Sequence, residues 1–469
     1  MTARTLFDKV WDRHVVRDMG GGWSLLHIDR HLLHDLSGPP ALEEITRRGL
    51  GVRHPDLAFA TADHAVSSSP GRDGHSSAQG AALYDALQER SAVAGLRFFK
   101  LGQLGQGIVH VMGPEQGLVL PGLTLVCGDS HTCTNGALGA LAFGIGSSES
   151  AHVLATQTLR QRKPRQLRIR VDGQLPENVT AKDLALHLLS RHGAACGVGH
   201  AIEYTGEAVH ALTMEERLTL CNLSVEFGSK IGMIAPDDVT FTYLEGRPYA
   251  PTGERFTHAV ADWRALASDE GATVDRELRV DAAEVTPMIT WGTSPDQGVP
   301  VDERVPDPAS APNEAVRQSW QQALDYMGLR AGAALAGTPV DWVFIGSCAN
   351  ARLSDLRAAA LIACGRRVAP SVTAWVVPGS EQVRRDAEAE GLDRVFEEAG
   401  FVWRSPGCSL CVAANGERVP AGARAVSTSN RNFVGRQGPN ARTHLASPAM
   451  AAAAAVTGCI TDVRTLRVM

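Results

Sequence analysis

Three of the nine cysteines stand in settings that can do chemistry. Cys408-Ser409-Leu410-Cys411 is a C-x-x-C preceded by Pro406-Gly407, and far upstream Cys348 lies in Gly346-Ser347-Cys348-Ala349-Asn350. Alone, a C-x-x-C suits a redox pair or half of a zinc site. In both motifs a glycine lies just ahead of the cysteine, where it would let the backbone approach a bulky inorganic group. Four thiolates fill a [4Fe–4S] cluster and suit electron transfer. Three leave one iron with an open position, able to act as a Lewis acid. Three thiolates plus a histidine would also satisfy a structural zinc ion, and colour separates the two, because a cluster is brown. Cys127, Cys133, Cys196, Cys221, Cys364 and Cys459 have no paired spacing and are expected to be small buried hydrophobes.

Two further motifs suit proton transfer. Asp63-His64 and Asp129-Ser130-His131 each set a carboxylate beside an imidazole, which a carboxylate can orient and stabilise when protonated. A polar loop, Ser427 to Arg436, offers Arg431 and Arg436 for bidentate capture of carboxylates. Dehydration of a hydroxy-acid needs all of these: an acceptor for a carbon-bound proton, help for the leaving hydroxide, and cations for the carboxylates.

The elements that must position these groups share one shape. Apolar runs at 57–62, 123–127, 340–345 and 373–377 each end in a polar turn, and helical patterns lie between them. Strands alternating with helices predict parallel α/β sheets, whose ligands bind outside the carboxyl ends of the strands. At 469 residues the chain exceeds one ordinary core. A proline-rich stretch from Pro295 to Pro312 reads as a linker, and a softer boundary falls at Lys163-Pro164-Arg165, where a helical stretch gives way to a strand. The resulting division is 1–164, 165–300, a linker at 301–314, and 315–469 carrying Cys348, Cys408 and Cys411. The basic run from Arg160 to Arg170 reads as a solvated helix end passing into a strand. A formal net charge of −6 argues against nucleic acid as the main partner. No apolar run approaches membrane-spanning length, so a cytoplasmic protein is expected.

The ordered motifs closely resemble the 3-isopropylmalate dehydratase large subunits of the aconitase superfamily. The resemblance runs nearly end to end. It is carried by Asp63-His64, by the stretch from Gly107 to Gln116 containing His110, and by Val126 to Thr132. Leu220-Cys221-Asn222, Trp291-Gly292-Thr293, Gly346-Ser347-Cys348, Pro406 to Cys411 and Ser429 to Phe433 complete it. It implies three α/β domains with mainly parallel sheets around a central cluster cleft, without the fourth, swivel domain. It implies one [4Fe–4S] cluster on Cys348, Cys408 and Cys411 with one open iron. Asp63, His64, Asp129 and His131 would surround the leaving hydroxyl, and His110 would pair with Glu226. Asn222 and Asn430 would lie near the cluster, and Ser130, Arg431 and Arg436 would contact a substituted malate. The swivel domain, with its serine base, would come from a separate small subunit, without which this chain would be inactive.

The sequence departs from that pattern at several positions. Ala349 and Ala351 stand where hydroxyl side chains are usual, Cys133 and Asn135 where a small residue and a histidine are usual. Pro40 replaces a glutamine, and Ala62 and Ala65 flank Asp63-His64 in place of Met and Asn. None removes a cluster ligand or a charged catalytic group. They leave the reaction type standing and open the substrate to a relative of isopropylmalate, such as a benzylmalate or a homocitrate-like acid. A non-catalytic RNA-binding apo-protein is a remoter alternative, motivated by the basic run.

Overall fold

The computed structural model describes residues 3–466. The chain forms two compact units. The first takes the chain up to Ala65, then Gln79–Gln174 and Ala195–Ala282; the second takes Val66–Ala78, Leu175–Ala194 and the chain from Ala283 on.

In the first unit the apolar runs become a five-stranded parallel sheet. Its spatial order is Arg97–Phe99, Ala58–Thr61, Arg30–Leu33, Thr124–Cys127, Leu141–Gly144. Leu32 pairs with Phe59 on one side and Cys127 on the other. Ala58–Thr61 and Thr124–Cys127 are buried at every position, which is why they read as unbroken apolar runs rather than alternating ones. Helices complete the crossovers. Gly38–Arg47 starts on Pro39 and Pro40, whose fixed φ and missing N–H suit a first turn, and it buries Ala41, Leu42 and Ile45. A second parallel sheet follows the order Ile231–Ile234, His200–Thr205, Arg165–Asp172, Arg276–Asp281. A small antiparallel sheet joins Val15–Gly20, Trp23–His27 and Thr158–Arg162.

The basic run is not a helix end. The helix Ser147–Thr156 stops at Gln157, whose φ of +55° turns the chain into the strand Thr158–Arg162. The run therefore lies on two strands, and its cations are engaged locally. Arg160 covers the Trp23 ring at 4.2 Å, and Arg170 bonds Asp172 at 2.7 Å.

The second unit is built on another five-stranded parallel sheet, in the order Val402–Trp403, Thr373–Val376, Trp342–Ile345, Arg424–Ser427, Arg442–Leu445. Phe344 centres a core with Val377, Leu410, Cys411, Val419, Ala425 and Ala441. Burial of one such aromatic is worth roughly 2–3 kcal/mol. The alanine-rich helix Pro448–Thr457 is buried from Met450 to Ala455 and ends on Gly458, at φ +77°. The proline-rich stretch is packed: Gly298–Pro300 pairs with Met288–Thr290, the Val301 N–H donates to Pro287, and the Val305 N–H donates to Ala333.

Candidate active site

The first unit gathers six expected residues into one chain of alternating carboxylates and imidazoles. Asp63 and His64 follow the strand Ala58–Thr61, and Asp129 follows Thr124–Cys127. Asp63 Oδ1 lies 2.5 Å from His64 Nδ1, while its Oδ2 accepts from the Val109 N–H at 2.8 Å. That second bond fixes the start of the helix Val109–Glu115, which carries His110. On its other side His64 Nε2 lies 3.1 Å from Asp129 Oδ2. Asp129 Oδ1 lies 3.3 Å from His131 Nδ1 and 3.6 Å from His110 Nε2. His131 Nε2 reaches Glu226 Oε1 at 3.0 Å.

The net sets the charges. Burial opposes ionisation of Asp129, but the nearby imidazoles of His110, His131 and His64 outweigh it and hold the carboxyl well below its usual range. Burial likewise opposes the charge on His131, yet Asp129 and Glu226 outweigh it and raise the imidazole pKa. His131 therefore keeps its proton to higher pH than a free histidine.

Two members of this site were not singled out from the sequence, His34 and Asp35. Asp35 is wholly buried. Its Oδ1 accepts from the Asp63 and His64 N–H groups at 3.3 and 3.1 Å, and its Oδ2 from Ala65 at 2.7 Å. The His34 ring stacks on His64 at 4.3 Å between centroids. The polar atoms of His34, Asp35, Asp63 and His64 lie close together. They already bond one another and the backbone, so the group is a hydrogen-bond net rather than a cation site. The signal was present: His34-Asp35 also follows an apolar strand, Arg30–Leu33.

Other expected members of the first unit lie differently. Asn222 is buried and donates to Thr134 Oγ1 at 2.8 Å, and Ser130 is exposed. Asn135 places its amide nitrogen 3.3 Å from His110 Nδ1. Pro40 is exposed in the first turn of its helix. Cys133 packs its sulfur against the Asn222 carbonyl at 3.6 Å. Cys127, Cys133, Cys196 and Cys221 are buried as expected, whereas Cys364 is exposed and Cys459 partly so. Both of these last two lie just past the end of a helix rather than in a core strand.

The second unit places the three cysteines in a different environment. Cys348, Cys408 and Cys411 are buried, 6, 5 and 5% exposed. Cys411 Sγ lies 3.3 Å from both Ser347 Oγ and Asn430 Oδ1, and Asn430 Nδ2 donates to Cys348 Sγ at 3.5 Å. Ser347 Oγ donates to Asn430 Oδ1 at 2.5 Å. Ser347 and Ser409 take the left-handed backbone at φ +81° and +48°, rare for residues with a Cβ. Gly346 makes room for the Phe344 ring, which a Cβ there would meet at 2.5 Å. Lys182 is fully buried and donates to the Thr428 and Ser429 carbonyls at 3.3 and 2.6 Å, just before Asn430. Beyond Asn430, the Asn432 amide donates to Thr290, Gly292 and Thr443, which pins the loop. Arg431 is half-buried, and Arg436 sits over the Phe433 ring at 5.3 Å.

The sequence pattern of the aconitase family (aconitate hydratase) matches residues 8–458. The chain belongs to the aconitase family. Within it, the chain is 60% identical over 464 residues to a protein of Bradyrhizobium diazoefficiens named 3-isopropylmalate dehydratase large subunit 1, covering 99% of this chain and 97% of that one. It is 55% identical over 466 residues to the 3-isopropylmalate dehydratase large subunit of Roseiflexus castenholzii, covering 98% and 99%. The crystal structure of the holo-form of Thermococcus kodakaraensis aconitase X aligns with a TM-score of 0.46 at 12% identity, covering 90% of this chain and 86% of that one.

The donor set suits the iron–sulfur group that aconitase-family proteins generally bind. The three cysteines are buried, and hydroxyl and amide groups of the kind that tune cluster sulfurs lie beside Cys348 and Cys411. Among the described residues, no helix is long and apolar enough to cross a membrane.

Proposed function

We propose that this chain is the large subunit of a cytoplasmic hydro-lyase that interconverts 2-isopropylmalate and 3-isopropylmalate, by dehydration and rehydration, in leucine biosynthesis. The observation that carries it is identity of 60% and 55%, over nearly whole chains, to proteins named as such subunits.

In this reading Cys348, Cys408 and Cys411 hold one [4Fe–4S] cluster. When bound, the cluster supplies a Lewis acid at its one iron without a cysteine. Asn430 keeps two of the thiols oriented through its amide. The remaining chemistry belongs to side chains. His131, whose proton Asp129 and Glu226 hold to higher pH, delivers it to the departing hydroxyl. Asp129 stays a carboxylate throughout and stabilises the imidazoles that bond it. Asp63 fixes the ring of His64, so that its other nitrogen serves Asp129. Arg431 and Arg436 grip substrate carboxylates, with Ser130 as a further polar contact. A small subunit carrying the swivel domain supplies the base that takes the carbon-bound proton.

One observation favours a second reading, in which the malate carries another substituent. Asn135, a departure from the family pattern, directs its amide at His110 inside the acid–base net. An anaerobic assay of the reconstituted chain with its small subunit, against a panel of 3-substituted malates, separates the two. Highest kcat/KM on isopropylmalate is expected, and preference for a bulkier acid rejects the leucine assignment. Reconstitution should yield about four irons per chain. Cys408→Ser should abolish both the brown colour and turnover.

A further inference from the structure

Behind the C-x-x-C loop lies a buried ion pair that the proposed chemistry does not use. Arg404 and Glu417 are mostly buried and meet at 2.8 Å. Glu417 Oε2 accepts from Ser409 Oγ at 2.6 Å, and Ser409 is the left-handed residue between Cys408 and Cys411. The same oxygen accepts from Ser68 Oγ at 2.6 Å, and Oε1 accepts from the Ser68 N–H at 2.7 Å. Arg404 Nε donates to Ser68 Oγ at 2.8 Å, and its guanidinium lies 3.6 Å over the Trp375 ring. Ser68 belongs to a strap, Val66–Ala78, that is tied repeatedly to the loop. The Ser405 N–H donates to the Ser68 carbonyl at 2.8 Å, Asn415 donates to the Val66 carbonyl at 3.0 Å, and Arg72 donates to the Pro406 carbonyl.

A serine at φ +48° is unfavourable unless its surroundings over-determine it. Here they do, through one carboxylate that bonds the loop serine, the strap serine and an arginine together. A carboxylate so bonded is costly to replace, because its partners are buried and would lose their acceptor. We propose that Glu417, with Arg404 and Ser68, is a positioning clamp that holds the Cys408–Cys411 loop in the shape that retains the cluster. This rests on the reading of those cysteines as cluster ligands.

The test reads cluster lifetime, not turnover. The full-length chain is reconstituted anaerobically, then exposed to an iron chelator, and loss of visible absorbance is followed. Glu417→Gln keeps the size of the side chain but removes its charge and one acceptor. Cluster loss at least tenfold faster than in the unaltered chain is expected. Trypsin should cut at Arg72 sooner in the same variant, since the strap loses its tie. Ser409→Ala removes only the loop's own hydroxyl and carries the test if Glu417→Gln does not fold; the same acceleration is expected. Unaltered cluster lifetimes in the folded variants overturn the clamp. An unaltered chain that takes up no cluster overturns the ligand reading and the clamp together, whereas a normal cluster in the unaltered chain leaves the clamp to be judged by the variants alone.

Discussion

Asp35→Asn isolates the anchor of the Asp63-His64 turn. The native carboxylate accepts three backbone N–H groups, at 3.3, 3.1 and 2.7 Å, in a site closed to water. An asparagine can keep its oxygen toward the Asp63 and His64 N–H groups, but its NH2 must then face the Ala65 N–H, donor against donor. One charge-assisted bond is lost, one buried donor is left without an acceptor, and two bonds become neutral. A buried unsatisfied donor costs about 1–3 kcal/mol, and bonds to charged groups are worth about 1.5–3 against about 1 for neutral ones. A local loss of about 3 kcal/mol follows. At about 1.4 kcal/mol per tenfold, the turn should open roughly a hundred times more often. Hydrogen exchange with mass spectrometry on a peptide spanning 62–66 reads this directly, and it suits a chain of two units that need not unfold in one step. The His64 ring would lose its fixed setting between Asp63 and Asp129, so kcat should fall about tenfold while KM changes little. Exchange within about threefold of the unaltered chain would refute the view that Asp35 holds the turn.

Other perturbations have definite signs. Glu226→Gln removes a negative charge that raises the His131 pKa, so the alkaline limb of the kcat/KM profile should move to lower pH; an unmoved limb argues against His131 as the acid. His14 Nε2 meets Asp29 at 2.8 Å, and despite the opposing cost of burial this bond raises the His14 pKa above its ordinary 6.5. The stabilisation is fully present below the unfolded pKa and disappears as pH rises through the folded one. His14→Gln should abolish that decline in Tm, measured on the apo chain at stepped pH. At Gly144 an added Cβ would meet the Asp129 carbonyl at 2.6 Å and the Ser130 Cα at 3.0 Å, both backbone and unable to rotate away. Gly144→Ala should cost about 1–3 kcal/mol in urea unfolding and displace Asp129, lowering turnover as well.

What the sequence disclosed depended on how local the determining contacts are. Buried parallel strands announce themselves, because both faces need apolar residues, and turns such as Asp63-His64 stand out at their ends. Asp35 did not stand out, because its role is to accept backbone N–H groups from another loop, and its neighbours His27, His31 and His34 blur the pattern. Glu417 was equally silent, since Ser68 lies 349 residues away in sequence. The basic run was misjudged for a different reason. Charge density alone does not distinguish a helix end from adjacent strands, and the deciding event is a left-handed turn at Gln157. Asp63, His64, Asp129 and His131 stood out as residue types, and His110 and Glu226 came with the family resemblance, but their order along the net is set by distances that only folding supplies.

The two five-stranded sheets follow the same strand order, a repeat of topology. In each, the chain lays down a central strand, builds outward on one side through two more, then returns to the other side of the first. The loops leaving the central strand and its returning neighbour therefore diverge and open a crevice at their carboxyl ends. In the first unit those ends carry His34-Asp35 and Asp129; in the second they carry Ser347-Cys348 and Asn430. The central strand also supplies an anchor each time. Asp35 grips the turn after the neighbouring strand Ala58–Thr61, and Ser347 donates to Asn430, which follows Arg424–Ser427. Both anchors are short side chains at the end of the central strand, which adjoins the loops of both its neighbours. The chemistry differs, imidazole and carboxylate in one unit, thiol and amide in the other. The requirement that a buried polar loop have every donor and acceptor matched is the same. On that ground the anchors Asp35 and Ser347 should tolerate substitution as poorly as the residues they hold.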